Sequence, residues 1–112
     1  MSSFFIMIKE SGKMLPVTRR PVHPGEILKY EFLEPLHMTQ QQLADYLGIT
    51  RVRINEIISG KRSITPDTAF RMASFFNTTP DFWMNLQMNV DMWDTFQSNK
   101  KEYQHIESLS VK

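Results

Sequence analysis

Arg51 and Asn55 have the side chains best suited to reading a nucleic acid. Arginine can donate two parallel hydrogen bonds to O6 and N7 of guanine, and asparagine can pair with N6 and N7 of adenine. Both lie in a short basic stretch whose one acid is Glu56, and the other basic residues there are Arg53, Lys61 and Arg62. In the predicted third helix, Arg51 and Asn55 remain near the exposed N-terminal part, where a recognition helix meets base edges.

The residues around this pair suggest further contacts with DNA. Val52 can touch a thymine methyl group, and Arg53, which points to the side, is expected to hold a phosphate. Gln40 lies near the start of the preceding helix, where side chains and free N–H groups can bind phosphate. Glu56 has two interpretations, a partner within the helix or a cytosine contact. The predicted DNA-contact residues are Gln40, Thr50, Arg51, Val52, Arg53, Asn55, Glu56, Lys61 and Arg62.

Two short helices must place these side chains. Ala44 is small enough to let a second helix cross closely over the first, and Gly48 accepts the positive φ that the turn needs. Ile54 and Ile57 can bury the inner face of the second helix of the pair. This spacing is expected of a helix-turn-helix, although an ordinary helical hairpin with a glycine turn is the alternative. The basic residues on the exposed side favour DNA binding.

Capping signals predict where these helices begin. Thr39 and Gln42 form the T-x-x-Q capping box, and Thr50 begins the next helix. The runs 65–67 and 79–81 both read Thr-Pro-Asp, which combines a hydroxyl cap, a first-turn proline and an acid at the positive helix end. The sequence therefore predicts a fourth helix and a long fifth helix that reaches about Gln97.

The first helix is predicted from Pro24 to about Glu34, because Pro35 disfavours helical geometry in the residue before it. Its apolar stripe is Leu28, Phe32 and Leu36. For the fourth helix two core faces are possible. They are Phe70, Ala73 and Phe76, or Met72 and Phe76.

The predicted organisation has three parts. Residues 1–22 form an arm, either flexible or strand-like, because the apolar β-prone run 4–8 precedes a polar stretch with Gly12, Pro16 and Pro21. Residues 23–97 form an all-α, five-helix domain for DNA binding and dimerisation. Residues 98–112 form a polar tail.

Composition excludes several classes. The chain has 112 residues, enough for one domain, and its net charge of +1 would not by itself indicate nucleic acid. Without cysteine there can be no disulfide or thiolate metal site, and the separated His23, His37 and His105 suggest no metal or cofactor. No run is long enough to span a membrane, and the short apolar run lacks signal-peptide features, so a cytoplasmic protein is expected.

An enzyme is also not expected. The acids Asp67, Asp81, Asp91 and Asp94 are predicted at caps and on helix surfaces. The sequence has no glycine-rich phosphate loop and no visible pair of nucleophile and base.

Several runs together resemble the HigA antitoxins, also called virulence-associated protein I. These runs are RPVHPGEIL at 20–28, EFLEPL at 31–36, LADYLGI at 43–49, GKR at 60–62, ITPDTA at 64–69, TPDFWMNLQ at 79–87 and DMW at 91–93. The resemblance covers about residues 19–97, and residues 1–13 depart from the family pattern.

This resemblance implies the helix-turn-helix fold of the lambdoid phage repressors. It also implies a homodimer that represses its own operon on double-stranded operator DNA. The partner it implies is a HigB-type toxin, a ribosome-dependent messenger RNA nuclease.

The last helix carries more apolar surface than one small domain needs. One stripe contains Phe82, Trp83, Leu86, Val90 and Trp93, and a second contains Met84, Met88, Met92 and Phe96. Gln87, Asp91 and Asp94 make the remaining polar edge. One broad core face is an alternative, but a five-helix domain offers little to cover both stripes. The tryptophan stripe is therefore predicted to face the core, and the methionine stripe to form a dimer interface.

Three functions remain open from the residues. They are an antitoxin that represses its operon, a stand-alone regulator without a toxin, and a protein-binding module that has lost its operator. The basic recognition helix argues against the third.

Overall fold

The computed structural model describes residues 5–8, 13–16 and 19–109, and its main body is a bundle of five helices. Helix α1 begins with the α-helical turn Pro24–Ile27 and continues as the π-helical segment Leu28–Leu33. The other helices are α2 (Gln40–Leu47), α3 (Arg51–Ile58), α4 (Pro66–Phe76) and α5 (Pro80–Gln104). The predicted all-α, five-helix fold is therefore confirmed.

Local caps define where the helices begin and end. The Thr39 hydroxyl accepts from the Gln42 N–H, and the Gln42 side chain accepts from the Thr39 N–H, so the predicted capping box is present. Helices α3, α4 and α5 likewise begin at threonine caps. Gly48 ends α2 with φ 69°, a left-handed conformation that side chains with a Cβ rarely adopt.

The core lies where the five helices meet. Leu28, Ile54, Met72 and Trp83 are all fully buried there. Trp83 also satisfies its indole N–H, which donates to the Thr78 hydroxyl at 2.9 Å. Burying a large aromatic side chain with its polar atom paired is one of the strongest stabilising contributions available to a domain of this size.

Helices α1 and α3 approach so closely that only glycine fits at one position. A Cβ on Gly25 would lie 2.1 Å from the carbonyl oxygen of Ile57 and 2.9 Å from Cα of Ile58. The backbone of α1 therefore supports the C-terminal half of the recognition helix directly.

A β-hairpin precedes the bundle. Strands β1 (Phe5–Ile8) and β2 (Lys13–Pro16) pair antiparallel, with Phe5 opposite Pro16 and Ile8 opposite Lys13. Of the two forms that the sequence left open for the arm, flexible or strand-like, the described residues are strand-like, and the β-prone run pairs with the next segment of the same arm.

Several sequence expectations about burial were wrong. Leu36, predicted on the core stripe of α1, is exposed because the helix has ended and the chain turns at His37, which has φ 51°. For α4, where two core faces were left open, the face with Met72 and Phe76 is the one that packs on the core, and Phe70 of the other is exposed. Phe82 also keeps 39% of its surface exposed, although Trp83 and Val90 of its stripe are buried as predicted.

Helix α5 differs from expectation in two ways. It continues to Gln104 instead of ending near Gln97, so residues 98–104 of the predicted tail are helical. Gln87, placed on the polar edge from the sequence, has only 4% of its surface exposed. Within residues 19–109, no helix is both long and apolar enough to cross a bilayer.

The segment before α1 is tied to α5. Arg20 donates two hydrogen bonds to the Asp94 carboxylate, at 2.9 and 2.8 Å. This pair is half exposed, so it adds little stability, but it lowers the pKa of Asp94 below its ordinary value. Its effect is to fix where the chain enters α1.

His23 caps α1 in a way that depends on its protonation. Its Nδ1 accepts a hydrogen bond from the Gly25 N–H at 2.9 Å, and the ring is buried. Burial lowers the pKa of His23 below its ordinary value of 6.5, and neighbouring Arg20 acts in the same direction. The neutral ring is therefore the form that the fold favours.

Stability is expected to fall on acidification through this histidine. The stabilising contribution of the neutral His23 ring is fully present above pH 6.5 and declines as the pH drops below that value. The reason is that the unfolded chain then takes up a proton that the folded chain excludes. Denaturant unfolding at about pH 7.5 and about pH 5 measures the loss. In the control His23→Asn, which keeps a capping oxygen, the loss should be smaller. An equal pH dependence in both proteins would remove His23 as its source.

Candidate DNA-binding surface

The N-terminal half of α3 projects its polar side chains outward. Arg51, Val52 and Asn55 are exposed and together line a concavity of about 300 Å³. On the opposite face, Ile54 and Ile57 are completely buried. The sequence predicted this division, and it leaves Arg51 and Asn55 facing outward side by side.

Gln40 and Asn55 are brought together across the turn. The Asn55 amide donates to Oε1 of Gln40 at 3.2 Å, which joins the first residue of α2 to the middle of α3. A partner that holds one end of the Asn55 amide leaves its carbonyl oxygen and remaining N–H available for a base edge. Gln40 is thus placed to orient Asn55 as well as to contact a phosphate.

Arg53, a residue of α3, extends its guanidinium to the start of α4. Its Nη2 donates to the Thr68 hydroxyl and lies 3.4 Å from the Asp67 carboxylate. Asp67 also accepts from Arg71 at 2.9 Å, and the two arginines lower the pKa of Asp67. Because Arg53 is only partly exposed and already bonded, its predicted phosphate contact would have to share the guanidinium with α4.

Glu56 is paired within the protein. It accepts from Arg62 Nε at 2.9 Å and lies 2.8 Å from Arg62 Nη2, so its partner lies beyond the helix rather than within it. This favours a protein partner for Glu56 over a cytosine contact. Arg62 is half exposed and Lys61 is exposed, so both remain reachable by a DNA backbone.

Three of the four predicted dimer residues line one groove on α5. Met88 and Met92 are exposed, whereas Met84 and Phe96 are partly buried. Met84, Met88 and Met92 border a groove of about 340 Å³ whose other walls are Ile64, Gln87, Asp91 and Thr95. Phe96 lies further along the helix and stacks on Tyr103, with ring centroids 5.9 Å apart.

Two residues that matter for the site were not identified from the sequence. Thr68, 1% exposed, holds Arg53, and Gln87 holds the loop after α3. The first bond joins residues 15 positions apart in the sequence, and the second joins residues 23 positions apart. Helix periodicity carries no signal for such partners, although Thr68 on the inner face of a predicted helix could have been suspected.

Comparison with known proteins places this arrangement in a family. A helix-turn-helix family model matches residues 29–83. Antitoxin HigA-1 of Vibrio cholerae is 39% identical over 98 residues, which is 88% of this chain and 92% of that protein. The uncharacterised HTH-type transcriptional regulator YbaQ of Escherichia coli K12 is 46% identical over 72% of each chain.

Solved structures agree with these relatives. The antitoxin HigA of Pseudomonas aeruginosa, determined with the higBA promoter, superposes with a TM-score of 0.78 at 37% identity, covering 81% of this chain and 100% of that one. The antitoxin GraA in complex with its operator gives a TM-score of 0.78 at 33% identity, covering 87% and 99%. Because it is 39% identical to Antitoxin HigA-1 over most of both proteins and contains a helix-turn-helix, the chain belongs to the HigA family of helix-turn-helix antitoxins.

Proposed function

We propose that this protein binds a specific operator, represses its own toxin–antitoxin operon and neutralises a HigB-type toxin that cleaves messenger RNA. Its function is binding rather than catalysis. The observation that carries the proposal is the outward face of α3, where Arg51 and Asn55 lie exposed beside Val52. This helix is braced from behind by α1 and from the side by Gln40.

The roles of the individual contacts follow from their chemistry. Arg51 and Asn55 read base edges, because each can form two hydrogen bonds to one base. Lys61 and Arg62, just after α3, bind phosphates and carry no sequence information. The relatives support DNA binding by this fold, since HigA of Pseudomonas aeruginosa and GraA were each determined with promoter or operator DNA.

A homodimer completes the operator-binding unit. One recognition helix contacts only a few base pairs, so a single copy would compete poorly with the excess of non-specific sites. Two copies related by a two-fold axis can place their recognition helices about one turn of DNA apart. The exposed Met88 and Met92 on α5 are the apolar residues that such a partner would cover.

The toxin partner is supported by the similarity to Antitoxin HigA-1. A stand-alone regulator is the second candidate, favoured by the 46% identity to a protein described only as a transcriptional regulator. The open reading frame next to the gene distinguishes the antitoxin from the stand-alone regulator. A small basic nuclease whose toxicity is suppressed by co-expression of this chain supports an antitoxin, and a neighbourhood without one supports the regulator.

Operator binding can be tested by comparing two kinds of variant on DNA from the region upstream of the gene. Arg51→Ala and Asn55→Ala are each expected to cost roughly 1–3 kcal/mol on that DNA and to relax specificity at one base pair. Lys61→Ala is expected to weaken specific and unrelated duplexes alike, and to reduce the slope of log affinity against log salt by about one. Titration at several fixed salt concentrations measures both effects.

The matched control is Arg71→Ala. Arg71 is an exposed arginine on α4 that bonds to Asp67 and to the Leu47 carbonyl rather than projecting from α3. Its removal is expected to leave base preference unchanged. If Arg51→Ala bound the upstream DNA as tightly as the unaltered protein, α3 would not be the reading helix.

A further inference from the structure

A buried side-chain amide joins α5 to the loop that follows the recognition helix. Oε1 of Gln87 accepts a hydrogen bond from the Ile64 N–H at 2.8 Å. Both residues are almost fully buried, with 4% and 2% of their surfaces exposed. Without Gln87 the Ile64 N–H would be buried and unpaired, which protein structures strongly avoid.

The loop at residues 59–65 is held at both ends. At its start, the N–H groups of Lys61 and Arg62 both donate to the Glu56 carbonyl, at 2.8 and 3.1 Å. At its end, the Thr65 hydroxyl caps α4. The bond from Ile64 to Gln87 attaches this loop to α5, two residues after Arg62. The backbone of Lys61 and Arg62 is therefore held by α3 on one side, and the residues that follow are held by α5 on the other.

Gln87 is itself oriented by a second hydrogen bond. Its Nε2 donates to Asp91 Oδ1 at 2.9 Å, one helical turn further along α5. Asp91 is exposed and lies with Met88 and Met92 in the groove of α5 described above. The chain of bonds therefore runs from the loop, through a buried amide, to a carboxylate on the predicted dimer face.

We propose that Gln87 is a positioning residue for DNA binding, which holds Lys61 and Arg62 against the phosphate backbone and ties them to the dimer face of α5. This proposal rests on the proposed function, since it names how the phosphate contacts of that site are placed. These hydrogen bonds explain why the polar side chain of Gln87 occupies a core position. They also explain why its polar neighbour on α5, Asp91, is a hydrogen-bond acceptor.

The test compares Gln87→Met with the unaltered protein on two duplexes, one from the upstream region and one of unrelated sequence. Methionine is similar in size and apolar, so it fills the space but cannot accept from Ile64. Affinity is expected to fall about tenfold on both duplexes, with the salt slope reduced by about one, because a phosphate contact is lost rather than a base contact. Hydrogen exchange at the Ile64 amide is expected to accelerate at least about tenfold.

A swapped double variant separates positioning from general stability. In Gln87→Glu with Asp91→Asn, the asparagine can donate to the glutamate, whose other oxygen can still accept from Ile64, and the net charge is unchanged. Compared with Gln87→Met, this double variant is expected to recover most of the DNA affinity and the slow exchange of the Ile64 amide. Gln87→Glu alone is expected to recover less, because its carboxylate then faces the carboxylate of Asp91. Sedimentation and helical circular dichroism establish that each variant is folded and equally dimeric.

The outcomes distinguish the two proposals. If Gln87→Met kept its DNA affinity and salt slope while the Ile64 amide exchanged rapidly, the bond of the unaltered protein would not position the loop for DNA. The inference would then be wrong. Slow exchange at Ile64 in Gln87→Met would overturn it as well. If the unaltered protein preferred neither duplex, sequence-specific operator binding would fail, yet the loss on the unrelated duplex would still decide the role of Gln87.

Discussion

Met88→Glu is expected to convert a dimer into a helical monomer and to lower operator affinity at the same time. Met88 is half exposed at the centre of the groove on α5, flanked by Met84 and Met92. A carboxylate there would lose its hydration in a two-fold interface, and the described residues that line the groove include no lysine or arginine to pair with it. Two copies of the charge would also face each other if the axis passes close by.

Sedimentation at micromolar concentration, with circular dichroism on the same sample, measures this effect. Gln97→Glu is the matched control, because it places the same charge on an exposed position of the same helix, on roughly the opposite side from Met88. The control is expected to stay dimeric. If Met88→Glu also stayed dimeric, this groove would not be the interface, and the pairing of recognition helices would need another surface.

Gly25→Ala is expected to have the largest effect on stability, roughly 3 kcal/mol or more. The new Cβ would meet the Ile57 carbonyl oxygen at 2.1 Å, and because that atom belongs to the backbone, a rotamer change cannot relieve the clash. Helices α1 and α3 would have to separate. Operator affinity is therefore expected to fall even under conditions where the protein remains folded.

Denaturant unfolding of Gly25→Ala beside Gly60→Ala tests this explanation. Gly60 has φ 79°, and a Cβ there would make only ordinary van der Waals contact with the His23 ring, at 3.9 Å. Alanine at this position therefore introduces backbone strain, about 1–2 kcal/mol, without a steric clash. A loss for Gly25→Ala no greater than for Gly60→Ala would indicate that α1 and α3 are not in such close contact.

The helix starts could be predicted because their causes are local. Thr39, Thr50, Thr65 and Thr79 each bond to an N–H three residues ahead, so a window of four residues contains the whole interaction. The same is true of Gly48, whose positive φ is needed by the turn itself. The orientation of α3 followed from the buried pair Ile54 and Ile57, which left Arg51 and Asn55 outside.

The errors arose where a distant partner decides burial. Gln87 reads as a surface residue on a helical wheel, and its burial depends on an N–H that lies 23 positions earlier. Glu56 could not be assigned because Arg62 lies past the end of the helix, outside its periodic pattern. Phe70 is apolar on a helix whose other face already fills the core, so its type alone could not indicate its exposure.

The hydrogen bond between Asn55 and Gln40 has a consequence for how the operator is recognised. It restrains the Asn55 rotamer before DNA arrives, so the conformational entropy of that side chain is largely lost during folding rather than on binding. Arg51 has no hydrogen bond to another described residue, and fixing it on a base costs roughly 0.5–1.5 kcal/mol. With the base contacts proposed above, discrimination at the base pair facing Asn55 would be preorganised, whereas discrimination at the base pair facing Arg51 would be offset by the cost of ordering that side chain.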